Sequence, residues 1–176
     1  MNMKGITFST DVGILTIEDN ISSGRLAEEY FGMNTDSNQI PASMENVKWI
    51  NKNIPDCVNV IKNDGKIIGF TFIVPGNKKI MNDFLDEKIN ENELFEMVKS
   101  NISYDNFYTI YLCSAFIKNE FRRKNLALNG FIKSIDKLLG KVKKKPILFI
   151  WAYTKEGERL GEKIAKITKL KLKKKN

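Results

Sequence analysis

Two continuous apolar runs separated by a helical stripe dominate the C-terminal half of the chain. Residues 107–117 (FYTIYLCSAFI) and 146–154 (PILFIWAYT) are rich in aromatic and β-branched residues. Runs of this length and composition predict strands that are buried on both faces. Between them, apolar residues recur at helical spacing and predict a helix from about Leu126 to Gly140, with its stripe at Leu126, Ile132, Ile135, Leu138 and Leu139.

A hairpin precedes the first of these strands. Residues 57–74 form two apolar segments separated by Asn63-Asp64-Gly65-Lys66, and Pro75-Gly76 closes the second segment. Asp-Gly favours the positive φ angles that tight hairpin turns require. We therefore predict two antiparallel strands joined by this turn.

The remaining segments are predicted from caps and stripes. A short strand is expected at residues 13–19, then a helix that Ser22 or Ser23 caps, then a helix that starts at Ser43 and ends before Pro55. Residues 78–100 predict two helical pieces. Thr154 is expected to cap the last helix, after which the tail forms a strand or frays. This order of elements predicts a mixed α/β (α+β) fold around one sheet.

Composition restricts the chemistry. The 176 residues carry a net charge of +8 and include no histidine, which excludes Ser-His-Asp catalysis and histidine-ligated metals. Cys57 and Cys113 are too far apart in sequence to suggest a CxxC site, so no disulfide or metal is expected. No apolar run is long enough for a membrane span, and no secretory signal is visible, so we expect a cytoplasmic protein without membrane contact.

Residues 118–125 (KNEFRRKN), which we call the basic turn, connect the first apolar run to the helix after it. The first N–H groups of a helix lack intrahelical partners and the helix dipole is positive there, so such a turn binds phosphate readily. Arg122, Arg123 and Lys124 add three cations where acidic residues are ordinarily favoured. The basic turn therefore predicts an anion site, with a solvated loop as the alternative interpretation.

The segment IKNEFRRKNLA (residues 117–127) resembles the V-x-P-x-x-R-x-x-G-x-G/A motif of the GNAT superfamily of N-acetyltransferases. Ile117 stands at the valine, Arg122 at the arginine or glutamine, Asn125 at the first glycine and Ala127 at the second small residue. The order of elements from about residue 57 to the end agrees with that family, and the N-terminal helices also fit. The resemblance implies a single GNAT-like domain over residues 1–176, with a mixed central sheet and helices on both faces.

The resemblance also implies acetyl-CoA as cosubstrate, without a metal, and a pyrophosphate cradle made by the turn and the helix start. The residues that it assigns to acetyl-CoA are Phe116, Ile117, Arg122, Arg123, Lys124, Asn125, Leu126, Ala127 and Thr154. In similar proteins the backbone N–H groups of the strand polarise the thioester carbonyl, which here points to Phe116 and Ile117.

The sequence departs from the family pattern in two places. Asn125 replaces a glycine, although asparagine is the residue that best tolerates a left-handed backbone after glycine. After the second apolar run many members carry N-x-x-A-x-x-x-Y-x-x-x-G-F, whose tyrosine protonates the leaving thiolate. Here Thr154 falls on the asparagine and Gly161 on that tyrosine. Tyr111 and Tyr153 are nearby in sequence but do not match the motif.

The sequence therefore assigns no catalytic base. A carboxylate that acts through water is the usual way to deprotonate the attacking amine, and the candidates by proximity are Asp105 and Glu120, with Tyr153 as a further catalytic candidate. Cys113 is interpreted as a packed apolar residue rather than an acyl-carrying nucleophile.

The leading hypothesis is an acetyl-CoA-dependent N-acetyltransferase that acts on an amine of a small molecule or protein. Its first alternative is a degenerate GNAT-like module that binds CoA without catalysis. Its second is a basic RNA- or ribosome-binding protein, based on the lysine clusters at residues 140–146 and 169–176. These clusters lack interleaved aromatic residues for base stacking, which disfavours nucleic acid. A homodimer is compatible with the sequence.

Overall fold

The computed structural model describes residues 5–13, 15–32, 35–101 and 106–175. In these ranges six strands form one sheet in chain order, with seven helices around it. The strands are β1 (Ile6–Phe8), β2 (Val58–Asn63), β3 (Lys66–Gly76), β4 (Thr109–Ile117), β5 (Ile147–Ile150) and β6 (Leu172–Lys174). The helices are α1 (Ser9–Val12), α2 (Ile17–Phe31), α3 (Met44–Asn53), α4 (Lys78–Leu85), α5 (Glu91–Asn101), α6 (Leu126–Leu139) and α7 (Lys155–Thr168).

The sheet is mixed, and its two halves meet at β4. Strands β1 to β4 pair antiparallel, whereas β4, β5 and β6 pair in parallel. The parallel pairing of β4 with β5 ends at Tyr111 and Phe149, although β4 continues to Ile117 along β3. The two strands therefore separate after the third of the nine residues of β4.

Helices cover both faces of the sheet, as the sequence predicts. On one face, α6 lies so close to β3 that a Cβ on Gly130 would come within 2.9 Å of Thr71. The same helix accepts a hydrogen bond at the Gly130 carbonyl from the Asn59 amide of β2. On the opposite face, Phe72 of β3 packs its ring against Phe95 of α5. We call these the α6 face and the α5 face.

Most predicted elements are confirmed. The hairpin turn places Asp64 and Gly65 at φ 47° and 78°, and β3 ends at Gly76. Ser43 and Thr154 cap α3 and α7 by accepting hydrogen bonds from the backbone N–H groups of Asn46 and Gly157. The two helical pieces before β4 are α4 and α5, and the tail pairs with β5 as the short strand β6.

The N-terminal prediction was wrong in two respects. No strand occupies the described part of residues 13–19, because α2 already begins at Ile17, where Thr16 accepts a hydrogen bond from the Asp19 N–H at 3.1 Å. Ser23 is not a cap but a buried residue inside α2, and its hydroxyl donates to the Asn20 carbonyl. The strand that the sequence missed is β1, which has only three residues and pairs with the end of β2.

Candidate active site

A cleft opens where β4 and β5 separate, and it has a volume of about 870 Å³. Residues 112–117 of β4 form one wall and residues 150–154 form the other. Helices α6 and α7 contribute Leu128 and Leu160 from the α6 face, and Tyr30 and Glu91 contribute from the α5 face. The cleft therefore passes through the sheet and is lined from both of its faces.

Two backbone N–H groups of β4 are directed into this cleft. Lys118 donates its backbone N–H to the Ile68 carbonyl of β3 at 2.8 Å. Alternate residues of an antiparallel strand bond to the same partner, so Phe116 and Ser114 also face β3 while Ile117 and Ala115 face the cleft. The Ile117 carbonyl confirms this direction, because it accepts a hydrogen bond from the Arg122 side chain.

This geometry modifies the expectation for the strand. Ile117 has the cleft-facing N–H that the sequence predicts, but the N–H of Phe116 belongs to the β3 ladder, so its place beside Ile117 is taken by Ala115. The alternation shifts because Cys113 is an extra residue in β4: Phe72 pairs with Ser114 and Ile73 with Leu112. The β-bulge at Cys113 thus directs the strand's free groups into the opening.

The basic turn ends in a backbone conformation suited to anions. Arg123 and Asn125 both have left-handed backbones, with φ 62° and 58°, and α6 begins at Leu126. Asn125 forms no side-chain cap, and the first helical hydrogen bond is donated by Asn129. The N–H groups of the first three helical residues therefore lack intrahelical partners, and all three of these residues line the cleft.

The cations of the turn are not equivalent. Arg122 and Arg123 line the cleft and are exposed, and Arg122 Nε also donates to the Ile117 carbonyl at 3.0 Å. Lys124 instead lies over the ring of Phe121, with Nζ 5.1 Å from the ring centroid, and does not line the cleft. Lys163 of α7 replaces it: its ammonium donates to Asn125 Oδ1 at 3.2 Å. The sequence gives no local signal for Lys163, because this residue lies on a separate helix.

At the α5 face the cleft ends in an acidic and aromatic cluster. Glu91, the first residue of α5, is 6% exposed and accepts a hydrogen bond from the Tyr111 hydroxyl of β4. Burial raises the pKa of the Glu91 carboxyl, and the Tyr111 hydrogen bond only partly offsets this. Tyr153, 68% exposed, leans on Trp151 with ring centroids 4.4 Å apart. Partial desolvation, and then the charge of Glu91, raise the pKa of Tyr153, so its hydroxyl stays protonated.

Comparisons with known proteins settle the fold. No protein-family model matches the sequence, and no curated protein is similar to it. Among solved structures, the ribosomal-protein-alanine N-acetyltransferase of Brucella melitensis biovar Abortus 2308 matches with a TM-score of 0.53 and 12% identity, over 91% of this chain and 90% of that chain. The Salmonella typhimurium protein yncA, assigned as an acetyltransferase and solved with acetyl-CoA, matches with a TM-score of 0.51 and 13% identity, over 92% and 79%.

The chain has the GNAT fold. Relative to the GNAT tyrosine motif, the structure shows what stands at the missing side chain. Gly161 of α7 is buried, and a Cβ there would lie 3.1 Å from Ile150 Cδ1 and 3.7 Å from Leu172 Cδ2. A side chain at position 161 would point towards the sheet. Where the motif has a tyrosine, this chain therefore has close packing of α7 on β5 and β6.

The three catalytic candidates lie in different places. Asp105 is outside the described residues. Glu120 is exposed on the 3-10 turn Asn119–Phe121 and does not line the cleft. Tyr153 lines the cleft together with Thr154. Glu91, which does line it, was missed because a glutamate at a helix start is ordinarily explained by the helix dipole.

The remaining groups are consistent with this picture. Burial raises the pKa of the Cys113 thiol, which keeps it protonated and weakly nucleophilic. Among the described residues no group of acidic residues and cysteines is placed to hold a metal ion, and no helix is long and apolar enough to cross a bilayer. In the lysine-rich tail, Lys174 pairs with Glu158 and Glu162 of α7 at 2.7 and 2.5 Å.

Proposed function

We propose that the protein is an acetyl-CoA-dependent N-acetyltransferase that transfers the acetyl group to an amine of a small molecule or protein. The observation that carries this proposal is the separation of β4 from β5 beside the open N-terminus of α6. A thioester carbonyl needs a backbone N–H of a strand as hydrogen-bond donor, and a pyrophosphate needs the N–H groups of a helix start together with cations. The cleft offers both kinds of donor along one wall.

Acetyl-CoA fits the residues present. The N–H groups at the start of α6, with Arg122, Arg123 and Lys163, form the phosphate end. From there β4 runs back for six residues, roughly 20 Å at the rise of a strand, to the last pair with β5. This length accommodates an extended pantetheine arm that runs along β4 past Ile117 and directs the thioester from Ala115 towards the point where the strands separate.

The chemistry needs little from acidic groups. The N–H of Ala115, the cleft-facing donor nearer to the point of separation, stabilises the oxyanion that forms when a neutral amine attacks the thioester carbonyl, and the N–H of Ile117 is left for the pantetheine arm. The C–S bond then breaks, and CoA leaves as a thiolate whose conjugate acid resembles a thiol of pKa ~8.5. Such a leaving group tolerates the loss of the motif tyrosine. Tyr153, held in its protonated form, acts as a hydrogen-bond donor to the sulfur rather than as a strong acid.

Calorimetric titration with acetyl-CoA tests the binding part of the proposal. We expect micromolar affinity for the wild type, and a loss of at least about tenfold in an Arg122→Ala, Arg123→Ala double variant, because charge-assisted hydrogen bonds to phosphate are removed. A Lys143→Ala, Lys144→Ala variant removes the same charge from an exposed loop outside the cleft and is the matched control. Equal losses in both variants would attribute binding to net charge alone.

Release of free CoA thiol in the presence of a panel of amines then tests turnover. A second candidate, a module that binds CoA without catalysis, is favoured by the buried glycine at the motif tyrosine. It predicts micromolar acetyl-CoA binding with no thiol release above the hydrolytic background. The RNA-binding alternative, the cytoplasmic location and the homodimer stay predictions from the sequence.

A further inference from the structure

The α4–α5 segment places a buried carboxylate at the end of the cleft that lies opposite the basic turn. The segment is inserted between β3 and β4, and its Glu91 reaches the cleft from the α5 face, beside the last β4–β5 pair. The basic turn lies at the far end of β4. A group at Glu91 is therefore placed to meet a second substrate and not the phosphates of the first.

The carboxylate is held in position but is incompletely neutralised. Its one hydrogen bond from the described residues is donated by the Tyr111 hydroxyl to Oε1, which leaves Oε2 without a donor from them. The cation that acts on Glu91 is Lys175, but this ammonium lies over the rings of Trp151 and Phe84, at 4.0 and 4.7 Å, and its ion pair is with Glu87 at 3.9 Å. The other groups that interact electrostatically with Glu91 are Asp36, Cys113 and Tyr153.

The same end of the cleft has an aromatic wall that faces solvent. Tyr153 lines the cleft within electrostatic reach of Glu91 and is 68% exposed, whereas Tyr30 lines it further along β4, where its ring packs on Phe116. An exposed aromatic face beside a carboxylate suits an alkylammonium group, which gains cation–π attraction and an ion pair together. A neutral or anionic acceptor would leave the carboxylate unpaired in a partly desolvated site.

We propose that Glu91 is the acceptor site of this enzyme: it binds the ammonium of a primary amine and accepts its proton. The inference rests on the proposed acetyl transfer. One ammonium proton moves to Glu91 and the amine nitrogen attacks the thioester carbonyl to form the C–N bond. The C–S bond breaks, the CoA thiolate takes the second nitrogen proton, and Glu91 returns its proton to water. Ammonium and acetyl-CoA thus give the amide, CoA thiol and one proton.

The raised pKa of the Glu91 carboxyl supports this role, since a stronger base is better matched to an amine. Turnover requires ionised Glu91, so it should fall as the pH drops below the pKa of this carboxyl. Tyr111 and Cys113 of β4, Tyr153 after β5, Lys175 after β6 and Asp36 before α3 are the charged or titratable groups around it. The cysteine and tyrosines have raised pKa values and stay neutral over this acid limb.

The test compares wild type, Glu91→Gln and the control Glu93→Gln, which changes an exposed carboxylate on the same helix. Binding of phenethylamine and cadaverine is measured by calorimetry, with 2-phenylethanol as the neutral counterpart. We expect Glu91→Gln to lose about tenfold or more in amine affinity, since a charged hydrogen bond is removed, while the alcohol and acetyl-CoA bind unchanged. Its kcat/KM should fall about 10²-fold or more and lose the acid limb of the pH profile.

The two proposals fail in distinguishable ways. If wild-type protein does not bind acetyl-CoA, the acetyltransferase proposal fails. If it binds acetyl-CoA but binds neither amine more tightly than the alcohol, or if Glu91→Gln keeps the wild-type amine affinity and pH profile, only the Glu91 inference is overturned. Should the variant unfold, ¹³C NMR of the wild-type Glu91 carboxyl answers the same question. Saturating phenethylamine must lower its pKa, and an unchanged pKa overturns the inference.

Discussion

The two ends of the cleft are built in opposite ways. The phosphate end is one continuous segment, the basic turn and the first residues of α6, and most of its donors are backbone N–H groups. The acceptor end is assembled from α5, β4 and the loop after β5, and each of its groups is a side chain. A local backbone site keeps its geometry when side chains vary. A site of distant side chains can change completely within the same fold.

This difference predicts separate readouts. Changes at the phosphate end should alter acetyl-CoA affinity and leave the chemistry at saturation intact. Changes at the acceptor end should alter turnover, pH dependence or stability and leave acetyl-CoA affinity intact. Variants at either end therefore test one side of that separation.

Asn125→Val should have the largest effect at the phosphate end. Asn125 has φ 58°, and a β-branched residue in a left-handed conformation costs about 1–2 kcal/mol, which corresponds to a loss of about five- to thirtyfold in acetyl-CoA affinity if the turn rearranges. Calorimetry measures it, and kcat at saturating acetyl-CoA should stay near the wild-type value. Asn125→Gly is the control, because glycine adopts this φ freely and should retain the affinity. Equal losses in both variants would show that the Asn125 side chain, and not the backbone, holds the ligand.

Tyr153→Phe should lower kcat by about two- to tenfold, the worth of one hydrogen bond to the leaving sulfur. The variant keeps the ring on Trp151, so acetyl-CoA affinity should not change. Thiol release at saturating acetyl-CoA measures the effect. Tyr108→Phe, an exposed tyrosine outside the cleft, is the matched control. A drop of several hundredfold in Tyr153→Phe would instead make this hydroxyl an obligatory proton donor.

Glu91→Gln should stabilise the protein at neutral pH. The folded-state pKa of Glu91 is raised mainly by burial, so the folded state holds this proton more tightly than the unfolded chain does. That preference favours folding at low pH and is lost as the pH rises through the folded-state pKa. Glutamine still accepts from Tyr111 but carries no charge to bury. We expect the Tm of the variant to exceed wild type by about 2–4 °C at pH 8, the shift that 1 kcal/mol produces in a chain of this size.

At pH 4 the two melting curves should converge, because Glu91 is then protonated in the wild type as well. Melting by circular dichroism at the two pH values, with Glu93→Gln as control, measures this. If the variant is less stable than the wild type at pH 8, ionised Glu91 stabilises the folded state, contrary to this prediction.

The sequence predicts the phosphate end of the cleft better than the acceptor end, because only the phosphate end is built from one continuous segment. β4, α6 and the basic turn follow from local patterns, namely a strand-forming run, a helical stripe and unpaired N–H groups between them. Glu91 could not be found in that way, because its environment comes from Tyr111 and from the opening between two strands. Lys163 was missed for the same reason, since only the packing of α7 brings it to Asn125.

Errors in the fold have local causes. The helix α2 was placed too late because Ser22 and Ser23 resemble caps as strongly as Thr16 does, and the true cap is distinguished only by the hydrogen bond that Thr16 accepts from the Asp19 N–H. Phe116 was expected beside the thioester carbonyl from the family resemblance, but the bulge at Cys113 sets the register of β4 so that the N–H of Phe116 faces β3. One extra residue reverses which groups face the cleft, and the sequence carries no signal for it.

Lys163→Met should have the smallest effect and tests whether the phosphate end is wholly local. Lys163 is exposed and pairs with a neutral amide, so its attraction for a phosphate is comparable to a surface ion pair, about 0.2–1 kcal/mol. That corresponds to a loss of up to about fivefold in acetyl-CoA affinity at low ionic strength, and the loss should disappear in high salt. Lys166→Met, on the same helix but outside the cleft, should show no effect. A salt-independent loss larger than that of Asn125→Val would mean that α7 shares the phosphate site on equal terms with the turn, and the contrast between a local and an assembled end would not hold.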